Sequence, residues 1–171
     1  MQITLNETEQ RLATFIGKIR ARARDGKVDH CPQFFSNSLD RHIQGAAAEV
    51  AFCRHRNIFP DTEQHQGPGS VYPQWDCVDP ALGRVDVKTS SGSSHNLIAP
   101  LYKSMIIKGD DHPDTYVLVT GVMPVYEIVG YCRYEELICE SSIRDLGQGD
   151  TYFVHRHDLK PIPNALAPTQ G

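Results

Sequence analysis

The stretch QWDCVDPALGRVDVKTS, residues 74–90, reads as a β-hairpin and decides how the rest of the chain is read. Two runs with alternating side chains, QWDCV and RVDVKTS, flank the turn DPALG. A five-residue turn from Asp79 to Gly83 sets Val78 opposite Arg84 and therefore Asp76 opposite Asp86. Side chains alternate faces along a strand, so Asp86 and Lys88 share one face, while Val85 and Val87 point to the other and into a core. Asp76, as the cross-strand partner of Asp86, shares the Asp86 face. Two carboxylates about 5 Å apart across a strand pair repel each other, so a fold that keeps them needs positive charge between them. A divalent cation beside Lys88 meets that need. The plainer alternative is a solvated strand face carrying a cross-strand ion pair.

Working outward, QGAAAEVAF at residues 44–52 lies in a helix expected from about Leu39 to Arg56 that is apolar on nearly every side, as a buried helix is. Glu49 is the single charge within AAAEVAFC, and a buried carboxylate needs a partner. That partner is either a metal shared with the hairpin acids or an arginine, with Arg41, Arg54 and Arg84 as candidates. The alanines and Gly45 permit close approach of helix and sheet. Three carboxylates, a backbone carbonyl and water form the hard oxygen shell that Mg²⁺ or Mn²⁺ prefers.

The order of helix Glu, strand Asp and then Asp-x-Lys on the next strand resembles the PD-(D/E)xK nuclease superfamily. The residues that carry it stand here as QGAAAEVAF, QWDCVDP and RVDVKTS, and the match spans roughly residues 40–130. Two positions vary: Trp75 precedes Asp76 where the family commonly has proline, and the last triplet begins with Asp rather than Glu. The resemblance implies a restriction-endonuclease-like core, with a mixed central sheet flanked by helices on both sides. It also implies Mg²⁺- or Mn²⁺-dependent phosphodiester cleavage. By the same resemblance Asp76, Asp86 and the carbonyl of Val87 would be metal ligands, Glu49 a further ligand or water-positioning group, and Lys88 the catalytic lysine. DNA is the expected partner, with RNA as the alternative substrate, and a homodimer or a partner protein is compatible with such folds. The alternative is a catalytically inactive module of the same fold that binds nucleic acid or protein. A phage or mobile-element origin suits either.

The rest of the chain reads as α+β within one domain, residues 1–171. A first helix is expected over residues 6–24, capped by Asn6 or Thr8, with Glu7 and Glu9 in its first turn and Gly26 able to stop it. Loops are expected over 27–39, 60–73 and 91–96, and the stretch 97–108 is ambiguous. Strands follow from Asp114 and Val125, with a helical turn near Tyr134–Ile138. TYFVHRHDL reads as the last strand, and a loose tail follows Lys160. Asp79, before Pro80, reads as turn chemistry.

Composition sets limits. The 171 residues are 40% apolar and 22% charged, a globular balance, and the net charge of −4 supplies no global field for nucleic acid. Local cations would have to hold a phosphate backbone: Lys18, Arg20, Arg22, Arg24, Arg54 and Arg56 are the candidates. The run from Lys18 to Arg24 equally suits a solvated helix end. Cys31, Cys53, Cys77, Cys132 and Cys139 include no CxxC pair and read as reduced thiols of a cytoplasmic protein. No run approaches the roughly 20 apolar residues of a membrane helix. His155 and His157, on one strand face, lack the further ligands a zinc site needs. His95, in the loop after Lys88, reads as a bystander, and Tyr72 and Trp75 as residues able to stack on bases.

Overall fold

A computed structural model describes residues 1–24, 38–60, 75–92, 95–101, 112–147 and 149–164. The chain forms β1 (Gln2–Thr4), α1 (Glu7–Arg24), α2 (Ser38–Arg56), β2 (Cys77–Asp79), β3 (Gly83–Ser90), β4 (Leu97–Pro100), β5 (Thr115–Val122), β6 (Val125–Arg133), a one-turn helix α3 (Tyr134–Leu137), β7 (Ile143–Asp145) and β8 (Asp150–Val154). A five-stranded mixed sheet has the order β1-β6-β5-β3-β2, and a three-stranded antiparallel sheet has the order β4-β8-β7. The architecture is α+β.

The hairpin register is the expected one, with Val78 opposite Arg84. Asp79 makes the turn: its Oδ1 accepts the Ala81 and Leu82 amides at 2.8 and 2.9 Å. Strand β3 then pairs in parallel with β5, Asp86 beside Tyr116 and Lys88 beside Leu118. A parallel pair needs a long crossover. Here residues 91–114 supply it and carry β4 into the second sheet on the way.

Alternation along β3 and β5 sorts the core into two layers. Val85, Val87, Val117 and Val119 face α2, whose run from Ala46 to Cys53 is entirely buried. Tyr116, Leu118 and Cys132 face the other way, against Leu97, Ala99, Tyr152 and Leu137. Among the described residues, strands β4 and β8 and the short α3 pack on the second face.

Helices α1 and α2 run antiparallel, with Glu9 near the start of one bonded to Arg54 near the end of the other at 2.9 Å. Asn6 caps α1 in a reciprocal box: its Oδ1 accepts the Glu9 amide at 3.0 Å and its own amide donates to Glu9 Oε2 at 2.7 Å. The glycine that permits close approach is Gly17 rather than Gly45. A Cβ at Gly17 would lie 2.6 Å from the Ile43 Cα, whereas one at Gly45 would meet nothing within 4 Å.

Four other expectations change. Residues 2–4, for which no element was expected, form an edge strand on β6. Residues 97–100, within the ambiguous stretch, are a strand. The last strand stops at Val154, so His155 and His157 do not share a strand face: His157 lies in the helical turn Arg156–Asp158. The tail is tied down as far as Pro163, since Lys160 pairs with Tyr131 through both backbone groups and the Pro163 carbonyl accepts from Arg56. Gly26, Cys31, Tyr72 and most of the expected loops over 27–39 and 60–73 lie outside the described residues. Among the described residues the cysteines are free, and no helix is long and apolar enough to cross a membrane.

Candidate active site

Strand β3 delivers Asp86 and Lys88 to one face, as alternation requires. Asp86 is only 4% exposed and its carboxylate is ion-paired with Lys88. The Lys88 ammonium also sits 5.7 Å from the centre of the Tyr116 ring, a cation–π distance. Tyr116 is fully buried, and its hydroxyl has no hydrogen-bond partner among the described residues. Burial, and then the nearby charge of Asp86, push its pKa above the ordinary phenol value.

Asp76 departs from the drawn ladder. Strand β2 begins at Cys77, and Asp76 stands at a bend before it. Its amide donates to the Val85 carbonyl at 2.7 Å, and its carboxyl oxygen accepts the Val87 amide at 2.7 Å. A side chain therefore takes the place of a backbone acceptor, and the hairpin opens at that point. Asp76 still shares the neighbourhood of the other acids. Burial, then Glu49, then Asp86 push its carboxyl well above the usual range, against opposing pulls from Arg20 and Lys88.

Glu49, 5% exposed, projects from the middle of α2 and meets Arg20 of α1 in a two-pronged ion pair, with one N–O distance of 2.6 Å. None of the partners expected from sequence, Arg41, Arg54 or Arg84, takes this place. Arg84 pairs with Asp114 at 2.9 Å and lies 5.0 Å from the Trp75 ring centre. Burial works against the Arg20 charge, yet Glu49, aided by Asp76 and Asp86, holds its pKa above the ordinary value. Helix spacing could have shown that Arg20 is set apart. Leu12, Ile16 and Ile19 mark the inner stripe of α1, and position 20 extends it, whereas 18 and 22 fall on the outer side.

The six candidate backbone-holding cations thus separate. Lys18 and Arg22 are exposed. Arg54 is partly exposed and engaged with Glu9 and the Thr4 carbonyl, and the Arg24 side chain lies outside the described ones. Arg20 belongs to the acid cluster. Arg56 is a correction: it is 5% exposed and bonded to Asp79 at 2.6 and 3.2 Å, so it faces the interior rather than a ligand. An open groove of about 450 Å³ follows α1 past Arg11, Phe15, Lys18 and Met123, and no acid of the cluster lines it.

Among the described residues, three carboxyls, two of them buried, therefore neighbour the cations Arg20 and Lys88 at the open end of the hairpin. Among the described residues, no three His, Cys, Asp or Glu side chains stand together at metal-ligand spacing, because Glu49 turns to Arg20 and Asp86 to Lys88. The donor chemistry, carboxylate and carbonyl oxygen without sulfur or imidazole, fits a hard divalent cation. The chain matches no known family, no curated protein and no solved structure.

Proposed function

We propose that the chain is a metal-dependent nuclease of PD-(D/E)xK type that hydrolyses phosphodiester bonds, with DNA as its first substrate and RNA as the alternative. The observation that carries this reading is the crowding of Asp76 against Glu49 and Asp86, with Lys88 on the same strand as Asp86. Carboxyls that feel one another's charge in buried surroundings cost stability, and such costs cluster at functional sites. The succession of buried helix, hairpin and parallel β3–β5 pair supports a restriction-endonuclease-like core.

Mg²⁺ or Mn²⁺ held by Asp76, Asp86, the Val87 carbonyl and Glu49 would supply the charge that acidifies a water and offsets the charge of the phosphodiester. Asp86 holds the Lys88 ammonium, which orients the attacking water or steadies negative charge developing on phosphorus-bound oxygen. Arg20 holds Glu49 against α1, and its charge favours an approaching phosphate. Among the candidate cations with described side chains, the exposed Lys18 and Arg22 would meet a nucleic acid backbone.

Cleavage of linear, circular and branched DNA and of RNA, with Mg²⁺, Mn²⁺ or EDTA, tests this. Metal-dependent cutting that disappears in Asp86→Ala and in Lys88→Ala is the expected result. Inert wild type, or variants that cut equally well, would overturn it. One observation favours a second reading, a catalytically inactive module that binds nucleic acid or a protein partner: Glu49 and Asp86 are each already paired with a cation. Calorimetric titration with Mn²⁺ separates the two, since an inactive site of this kind takes up no metal in the millimolar range.

A further inference from the structure

Strand alternation carries the site face one step beyond Lys88, to Ser90 at the end of β3. At about 3.3 Å per residue, Ser90 lies roughly 7 Å further along the same face. Its hydroxyl is hydrogen-bonded to Nδ1 of His95. The imidazole is held by more than that bond. The His95 amide donates to the Gly92 carbonyl at 3.2 Å, folding the loop back on the strand end. The ring lies over Gly92 so closely that a Cβ there would be 2.5 Å from Nε2, so a side chain at 92 would push the ring from this seat. The next residue is fastened too, with Asn96 Oδ1 accepting the Arg156 amide at 3.0 Å. His95 itself is exposed. An imidazole oriented through one nitrogen and open to solvent, at the end of a strand carrying Asp86 and Lys88, has the layout of a proton donor or acceptor.

Resting on the nuclease reading, we infer that His95 is the general acid of the reaction and that Ser90 is its positioning residue. In its protonated form, Nδ1–H donates to the Ser90 oxygen and Nε2–H is directed outward. As a water oxygen bonds to phosphorus, the bond from phosphorus to the leaving oxygen breaks and its electron pair stays on that oxygen, which takes the Nε2 proton. The proton lost by the attacking water passes to solvent, and solvent returns one to His95. Proton donation of this kind contributes roughly 10²- to 10⁴-fold to rate.

A leaving group that needs no proton isolates this step. The substrate pair is an oligonucleotide duplex with its natural scissile linkage, and the same duplex with sulfur in place of the bridging leaving oxygen, identified from the product ends. Both are assayed with Mn²⁺ on wild type, His95→Ala, Ser90→Ala, Ser90→Thr and Asp86→Ala. His95→Ala is expected to slow cleavage of the natural linkage by about 100-fold or more and to cleave the sulfur linkage within a few-fold of wild type. Ser90→Ala is expected to follow with a smaller defect that Ser90→Thr relieves, and Asp86→Ala to fail on both substrates. If His95→Ala cuts the natural linkage like wild type, or loses both linkages equally while Asp86→Ala stays inert, the acid assignment falls and the nuclease reading stands. Inert wild type removes both. His95 is exposed, so unchanged melting of its variant confirms that folding is not what is measured.

Discussion

Two largely buried arginine–carboxylate pairs anchor α2, and their surroundings differ. Arg56, in the last turn, meets Asp79 with both side chains almost wholly buried, 2% and 1% exposed. Asp79 also accepts two turn amides, and Arg56 also donates to the Pro163 carbonyl. Burial works against the Asp79 charge, but Arg56 and the amides outweigh it and hold its carboxyl below the usual range. Every charge there has a counterpart. Arg20–Glu49, mid-helix, is also two-pronged, but Asp76 and Asp86 crowd it, and the Asp76 carboxyl is driven in the opposite direction. The first pair closes a turn and holds the tail. The second sits among two further carboxyls, and burial together with Glu49 and Asp86 raises the Asp76 pKa. The contrast shows that two largely buried pairs of like geometry can shift a neighbouring carboxyl in opposite directions, according to the charges around them.

Four changes test that contrast, from the largest expected effect to the smallest. Asp79→Ala leaves Arg56 buried without its carboxylate, and breaking a buried pair in this way costs about 3–5 kcal/mol. Urea unfolding should register that loss, and an unchanged midpoint would show that the pair is not a staple. Next, Gly17→Ala forces a methyl group against the Ile43 backbone. Overpacking of this kind costs about 1–3 kcal/mol. It should also loosen the α1–α2 contact that lets Arg20 reach Glu49, so on the proposed nuclease reading Mn²⁺ affinity should shift along with the melting temperature.

The third test is pH, measured without metal, and the two acids bend the stability curve in opposite senses. Asp79 has a lowered folded pKa against an ordinary value of 3.8, so its contribution is present above that value and is lost as pH falls through the folded value. Asp76 has a raised one, so its contribution is full below 3.8 and is lost as pH rises through the folded value. Asp79→Asn should therefore flatten the acid limb, and Asp76→Asn should lift stability at neutral pH. A fall at neutral pH in Asp76→Asn would contradict the crowding. The smallest effect belongs to Arg11→Ala. Arg11 meets Glu7 at 3.5 Å with both side chains more than four-fifths exposed, and thermal melting should move by less than about 0.5 kcal/mol.

Much of this was legible in residues 74–90. Period-two alternation and a five-residue turn are local properties, so they settle the Val78–Arg84 register, the burial of Val85 and Val87, and the common face of Asp86 and Lys88. The all-round apolar run about Glu49 likewise announces a buried helix. Strand β1 was not legible, because three residues beginning Gln-Ile-Thr carry no periodicity and owe their state to pairing with β6. Nor was the bend at Asp76, where one carboxyl oxygen replaces a ladder acceptor.

The amino-acid sequence by itself determined which chemistry was on offer: the acids, the lysine beside them, and the local elements that present them. Tertiary structure alone decided which cation answers which acid. Arg20 and Arg56 carry the same group and are each expected in a helix, yet one joins the acid cluster and the other locks a turn. The physical reason is range: helix and strand periodicities act over a few residues, whereas the partners of Arg20 and Arg56 lie 29 and 23 positions away and meet only when α1, α2 and the hairpin pack.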